Sequence, residues 1–265
     1  MKENEVSVLA NNQKNHHELR FLKNDLLGGF LNKDTLNLVR QARSSFKKGE
    51  KRIFSQDIKK IAENLVDYEI RGLDNLPNPD GLPLIVVMNH PDVKDFLEAA
   101  FLVSWFSPKE IHWFLGANIP RRDLREKKMV GPILEKTLFK GIDSILKSII
   151  ETYDFIGVPT KDMEKAMAKR TAALRKGIKL LQKNAWVGIL PEAEFEKNNQ
   201  IEPFHKGIGL MVKKVKKENL RILPIKVWRE KMGRLHIVIG QNYKPDYEQK
   251  VEKITQKAEE VLKAL

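Results

Sequence analysis

Asn89, His90 and Asp95 are residues whose types and spacing could do chemistry. The run Leu84–Met88 is apolar and ends abruptly in Asn89-His90-Pro91, and Asp95 follows His90 with four residues between. Histidine exchanges a proton near neutral pH and is the usual general base. A carboxylate bonded to its ring fixes the tautomer and stabilises the imidazolium that forms. Five residues turn an α-helix through about 500°, so the two side chains would not share a face of one regular helix. They can meet if His90 lies on a turn and Asp95 in the first turns of a following helix. Taken alone, the motif also fits a structural histidine.

A second group stands farther along. Leu190-Pro191-Glu192-Ala193-Glu194 also follows an apolar run, and Glu202-Pro203-Phe204-His205-Lys206-Gly207 comes shortly after it. A third apolar run then reads Arg221-Ile222-Leu223-Pro224-Ile225-Lys226-Val227. The remaining chemistry-bearing types are weaker signals. His112 and His236 fall in strand-like runs and read as structural, and Trp105 and Trp113 as core. His16-His17 has no partner at metal-ligand spacing and reads as solvated.

The elements that must position these residues follow from periodicity. After Tyr68, short β-rich runs alternate with helical stretches. Strands are expected at Tyr68–Gly72, Leu84–Met88, Ile111–Leu115, Phe155–Val158, Trp186–Leu190, Arg221–Trp228 and Leu235–Ile239. Helices are expected over Asp92–Phe106, part of Leu124–Ile150, Met163–Lys183 and Gly207–Lys217. Residues 246–265 close the chain as an amphipathic helix with Val251, Ile254, Ala258 and Leu262 inward. The alternation implies an α/β domain over residues 67–265 with a mostly parallel sheet flanked by helices. In such sheets a site lies at the carboxyl ends of strands, where both His90 and Glu192 fall.

Residues 1–66 read as an N-terminal helical region. One stripe is Leu19, Leu22, Leu26, Leu27 and Phe30. Asn32 or Asp34 could cap a second helix carrying Leu36, Val39, Ala42 and Phe46, which Gly49 ends. Ser55 could cap a third, with Ile58, Ile61 and Leu65 on its apolar side. These stripes could pack on the main domain or, helped by Arg43, Lys47, Lys48, Lys51 and Arg52, lie on a membrane surface.

Composition narrows the function classes. In 265 residues there is no cysteine, which excludes disulfides, thiolate metal sites and an acyl-cysteine intermediate. The polar start Met1-Lys-Glu-Asn-Glu lacks the apolar core of a signal peptide, and no apolar run is long enough to span a bilayer. A cytoplasmic location, soluble or peripheral, is expected. The formal charge of +13 favours anionic partners: lipid headgroups, nucleic acid, phosphorylated cofactors or an acidic carrier protein.

Taken together, the blocks resemble the glycerolipid acyltransferase superfamily, whose members acylate glycerol-3-phosphate, lysophosphatidate and related lysolipids. Asn89, His90 and Asp95 match its first block, Asn-His-x-x-x-x-Asp after an apolar strand. Arg71-Gly72-Leu73-Asp74-Asn75-Leu76-Pro77 is similar to its usual lead-in. Pro191 and Glu192, then Pro203, Phe204, Lys206 and Gly207, match the third block and its sequel, and Pro224 the fourth. The resemblance covers roughly residues 68–243. It departs where the family has Gly-Thr-Arg, since Ala193-Glu194-Phe195 stands here and a phenylalanine cannot hold a phosphate bidentately. The second-block arginine is also missing; Lys161 is the cation nearest its expected place.

What the resemblance implies is direct transfer of a fatty acyl group from an acyl thioester to a hydroxyl, with His90 as general base and Asp95 orienting it. The thioester is acyl-CoA or acyl carrier protein (acyl-ACP), acting as co-substrate with no further cofactor and no metal. Asn89, Glu192, Lys161, His205, Lys206, Arg121 and Arg122 are the expected substrate-binding residues, with His205 alternatively a helix cap. Backbone N–H groups near the helix start after His90 are candidates for the oxyanion. The basic surface, including Lys213-Lys214-Val215-Lys216-Lys217, would suit an anionic donor and the inner membrane face, or be a solvated helix end. Two other readings stay open: a basic nucleic-acid or anionic-surface binding protein, and a lipid-binding relative without catalysis. Against nucleic acid, the cations lack interleaved aromatics and no recognised motif is present.

Overall fold

The computed structural model describes residues 33–63, 68–91, 93–116, 144–159, 166–192, 200–230 and 233–265. The helices are α1 (Lys33–Lys48), α2 (Phe54–Asp57), α3 (Lys59–Glu63), α4 (Val93–Phe106), α5 (Ala166–Gln182), α6 (Gly207–Val215) and α7 (Val251–Lys263). Residues 144–152 are also helical. The strands are β1 (Tyr68–Arg71), β2 (Leu84–Met88), β3 (Ile111–Gly116), β4 (Ile156–Val158), β5 (Trp186–Ile189), β6 (Arg221–Arg229) and β7 (Leu235–Ile239). All seven expected runs are strands, with no end displaced by more than one residue.

They form one sheet in the order β1-β7-β6-β2-β5-β3-β4. From β6 through β2, β5 and β3 to β4 every neighbouring pair is parallel. β7 is antiparallel to β6 and parallel to β1. The reversal has a local cause: five residues separate β6 from β7, enough for a tight turn but too few for a parallel crossover. Glu230 and Arg234 close that turn through a 3.3 Å backbone bond.

The central strand explains why the apolar runs read so clearly. Each β2 residue is fully buried, because a strand covered on both faces has no solvent side. Leu84, Val86 and Met88 point into one layer, shared with α1–α4 and residues 150–155. Ile85 and Val87 point into the other, with α5, α6 and α7. Of the four positions of α7 expected inward, Ile254, Ala258 and Leu262 are buried and Val251 is half-buried; Thr255 is buried beside them.

The described part of the N-terminal region packs onto the sheet. Leu38, Ala42, Phe54, Ile58, Ile61 and Ala62 lie in the same apolar layer as β2. The Phe54 ring stands edge-on to Phe101, Tyr153 and Phe155, with centroids 5.5, 5.2 and 4.8 Å away. Arg52 is held by Asp57 (Nη2 to Oδ1, 2.6 Å), and Lys51 donates to the Glu151 carbonyl. Ser55 is not the cap of the third helix. The helix begins at Phe54, and Glu110 accepts from the Phe54 amide (3.0 Å) and from Ser55 Oγ (2.8 Å). A carboxylate remote in sequence replaces the local cap. The stripe Leu19–Phe30, His16-His17, Asn32 and Leu65 lie outside the described residues, as do the side chains of Asp34 and Leu36. Among the described residues no helix is long and apolar enough to cross a membrane.

Candidate functional site

The carboxyl ends of three adjacent parallel strands, β6, β2 and β5, converge on His90. This is where open α/β sheets place their ligands. His90 lies on the turn after β2 and Asp95 in the first turn of α4, as the spacing requires. The His90 ring is half-buried and packs edge-on against Phe96, with centroids 5.9 Å apart and planes at 87°. Phe96 in turn meets Trp113 of β3 at 6.1 Å, and Trp113 Nε1 donates to Ser104 Oγ at 2.9 Å. An aromatic column thus runs from the sheet to the histidine. Trp113 is core, as read from sequence.

The turn that carries His90 is held from both sides. Asn89 is 2% exposed, and its amide makes a reciprocal pair with Val227 of β6. Nδ2 donates to the Val227 carbonyl at 2.7 Å, and the Val227 amide donates to Oδ1 at 2.6 Å. The side chain so extends the β2–β6 ladder beyond Met88, the last residue in register. Glu192, also 2% exposed, accepts from the His90 amide through Oε1 (2.8 Å) and from the Glu202 amide through Oε2 (2.9 Å). One buried carboxylate therefore joins the loops after β2 and β5 and the segment leading to α6. Charge-assisted bonds to a carboxylate are stronger than neutral ones, which suits a joint of this kind.

Asp95 is 6% exposed and has an arginine partner that sequence reasoning missed. Arg229, the last residue of β6, donates from Nε to Asp95 Oδ1 at 2.6 Å and from Nη2 to Glu98, one turn farther along α4. Its Nη1 donates to the Gly233 carbonyl at 3.1 Å. Burial lowers the guanidinium's proton affinity, but bonding to Asp95 and the charges of both acids outweigh it, so Arg229 is held above its ordinary value. The sequence carries one hint that a cation is needed here, a glutamate three residues after Asp95, but it does not say which one.

The other expected site residues are spread more widely. His205 is exposed, and its amide donates to the Pro191 carbonyl at 2.9 Å. Lys206 is exposed and pairs with Glu252 of α7 at 2.7 Å, which holds the Glu252 carboxyl below its usual range. Phe204 is buried, with its amide on Glu259 Oε2 at 3.0 Å. Arg121, Arg122 and Lys161 lie outside the described residues, as does the departure Ala193-Glu194-Phe195. In the lysine run, Lys217 closes the end of α5 by donating to the Gln182 carbonyl and Asn184 Oδ1, each at 2.6 Å. His112 and His236 hold structural contacts, to the Asp154 carbonyl and to Glu69 and Glu230. Among the described residues no acidic or histidine cluster is arranged to hold a metal ion.

A family model described as Acyltransferase matches residues 67–228. No curated protein matches the chain. Among solved structures, the chain is similar to the crystal structure of the 1-acyl-sn-glycerophosphate (LPA) acyltransferase PlsC from Thermotoga maritima. The identity is 18% and the TM-score 0.49, over 90% of this chain and 84% of that one. The family match covers more than half of the sequence and takes in Asn89, His90, Asp95, Glu192 and Pro224, and on that match the chain belongs to the Acyltransferase family.

Proposed function

We propose that the protein transfers a fatty acyl group from an acyl thioester to a hydroxyl of a glycerophosphate or lysolipid-type acceptor, with His90 as general base. The observation that carries the proposal is the joint between blocks far apart in sequence. Glu192 binds the backbone of His90, so the first and third blocks meet at the ends of neighbouring parallel strands.

In this reading the imidazole takes the proton from the acceptor hydroxyl as its oxygen bonds to the thioester carbonyl carbon. Asp95, ionised, orients the ring and stabilises the imidazolium. The tetrahedral oxyanion is met by backbone N–H groups at the start of α4. On collapse the carbon–sulfur bond breaks, and the departing thiol of CoA or acyl carrier protein takes the proton back from His90. The chemistry asks for no further cofactor. Asn89 and Glu192 keep the turn in place, and their side-chain groups are already engaged with backbone. The acceptor's phosphate falls to the cations Lys161, Arg121, Arg122 and Lys206, with His205 beside them. Lys206 would exchange Glu252 for the ligand. The excess of positive charge suits a peripheral position on the anionic inner membrane face.

The test is a panel with the full chain: acyl-CoA and acyl-ACP, each against glycerol-3-phosphate, lysophosphatidate and a non-phosphorylated alcohol, read by free thiol. Acceptor-dependent thiol release is expected with at least one phosphorylated acceptor. Release with the plain alcohol alone would overturn the phosphate assignment. Silence across the panel, together with salt-dependent DNA binding, would overturn acyl transfer itself.

A further inference from the structure

Asp95 and Glu98 stand three residues apart on α4, hence on one face of the helix, about one turn from each other. Two carboxylates so placed repel, and a cation held between them offsets that repulsion. Arg229 is that cation. Its Nε, Nη2 and Nη1 are directed at Asp95, Glu98 and the Gly233 carbonyl, so it reaches both acids and the turn after its own strand. A guanidinium makes these directed contacts at once through its rigid fork; an ammonium does not. The arginine is also anchored, because the two residues before it on β6 are Trp228, stacked on His236 at 5.0 Å, and Val227, clamped by Asn89. Arg229 lies one residue beyond the matched family segment.

We infer that Arg229, with Glu98 as its second carboxylate, is a positioning residue for acyl transfer: it keeps Asp95 aimed, and sets the net charge that faces His90. The inference rests on the reading of His90 as base and Asp95 as orienter. Among the described residues, the charged groups at the pair come from α4 (Asp95, Glu98), β6 (Arg229) and the turn after β5 (Glu192). In the elements packed on α4, Asp57 of α2 is held by Arg52, and Glu230 pairs with His236 of β7. The triad of Asp95, Glu98 and Arg229 carries one net negative charge. Removing Arg229 makes the surroundings of His90 more negative and favours the imidazolium. Removing the charge of Glu98 leaves the triad neutral and disfavours it.

The test is the titration of the His90 ring by NMR in the full chain labelled at its histidines, with His90 assigned by the signal lost in His90→Ala. This readout does not depend on turnover. Arg229→Gln is expected to move the His90 midpoint to higher pH and Glu98→Gln to lower pH. Arg229→Lys is expected to leave the midpoint in place while acyl transfer falls roughly tenfold or more, because the charge stays and the aim is lost. The acid limb of the pH–rate profile should move with the midpoint. If Arg229→Gln does not fold, Glu98→Gln and Arg229→Lys carry the test. A His90 midpoint that stays put in every folded charge-removing variant, or moves opposite to these signs, overturns the inference and leaves Arg229 a structural residue. Failure of the acyl-transfer reading would appear separately, as absent thiol release with the titration shifts intact.

Discussion

A single buried carboxylate, Glu192, links the loops that form the candidate site. Each of its oxygens accepts one backbone N–H, from His90 and from Glu202. Glutamine offers only one carbonyl oxygen and turns an NH2 toward the other amide. Glu192→Gln is therefore expected to cost about 2–3 kcal/mol of unfolding free energy, since a buried donor loses its charged acceptor. Denaturant unfolding measures it, and an unchanged midpoint would show that Glu192 does not hold the joint. At this scale the sequence was legible where types announce themselves. His90 and Glu192 each follow an apolar strand, and that placement alone marks them. The work of Asn89 was not legible, because its partner Val227 is 138 residues away. Arg229 was hidden for the same reason: nothing local shows that the end of β6 lies against the first turns of α4.

At the scale of elements, strand packing positions the histidine through the Trp113–Phe96–His90 column. The column needs room where Trp113 crosses β5. A Cβ on Gly188 would sit 2.2 Å from Trp113 Cε3, so only glycine fits there. Gly188→Ala is expected to destabilise the fold by about 1–3 kcal/mol through overpacking and to change the tryptophan emission. Unfolding followed by fluorescence checks both, and a neutral substitution would show that the ring can move aside freely. The strands themselves were readable because parallel strands buried on both faces are continuous apolar runs. Strand order was not, since it depends on which runs pair across the sheet. The antiparallel β6–β7 pair was implied only by the short link between them. The start of α2 was misread, because Glu110 takes the capping task from across the fold.

Across the whole molecule, two core layers and a mostly parallel sheet hold the site. The tyrosines report on how well those layers are closed. Burial, then Asp57, pushes the Tyr153 phenol above its ordinary value, and burial alone does the same for Tyr243. Both groups keep their protons in the folded state when the unfolded chain begins to lose them, at about pH 10. Above that pH the unfolded state binds fewer protons, so stability falls as pH rises; below it these groups add no slope. The double variant Tyr153→Phe/Tyr243→Phe is expected to lose stability less steeply above about pH 10 than the parent, measured as denaturant midpoint against pH. Equal slopes would place both phenols in contact with water. The excess charge of +13 was legible at this scale, but it names only the sign of a partner.

Base catalysis by His90 is tested most directly by thiol release from an acyl thioester in the presence of a lysolipid acceptor, comparing the parent chain with His90→Ala. A fall of about 10²–10⁴-fold is expected, with the circular dichroism spectrum unchanged. A folded His90→Ala protein that releases thiol at the parental rate would contradict the assignment of His90 as the base.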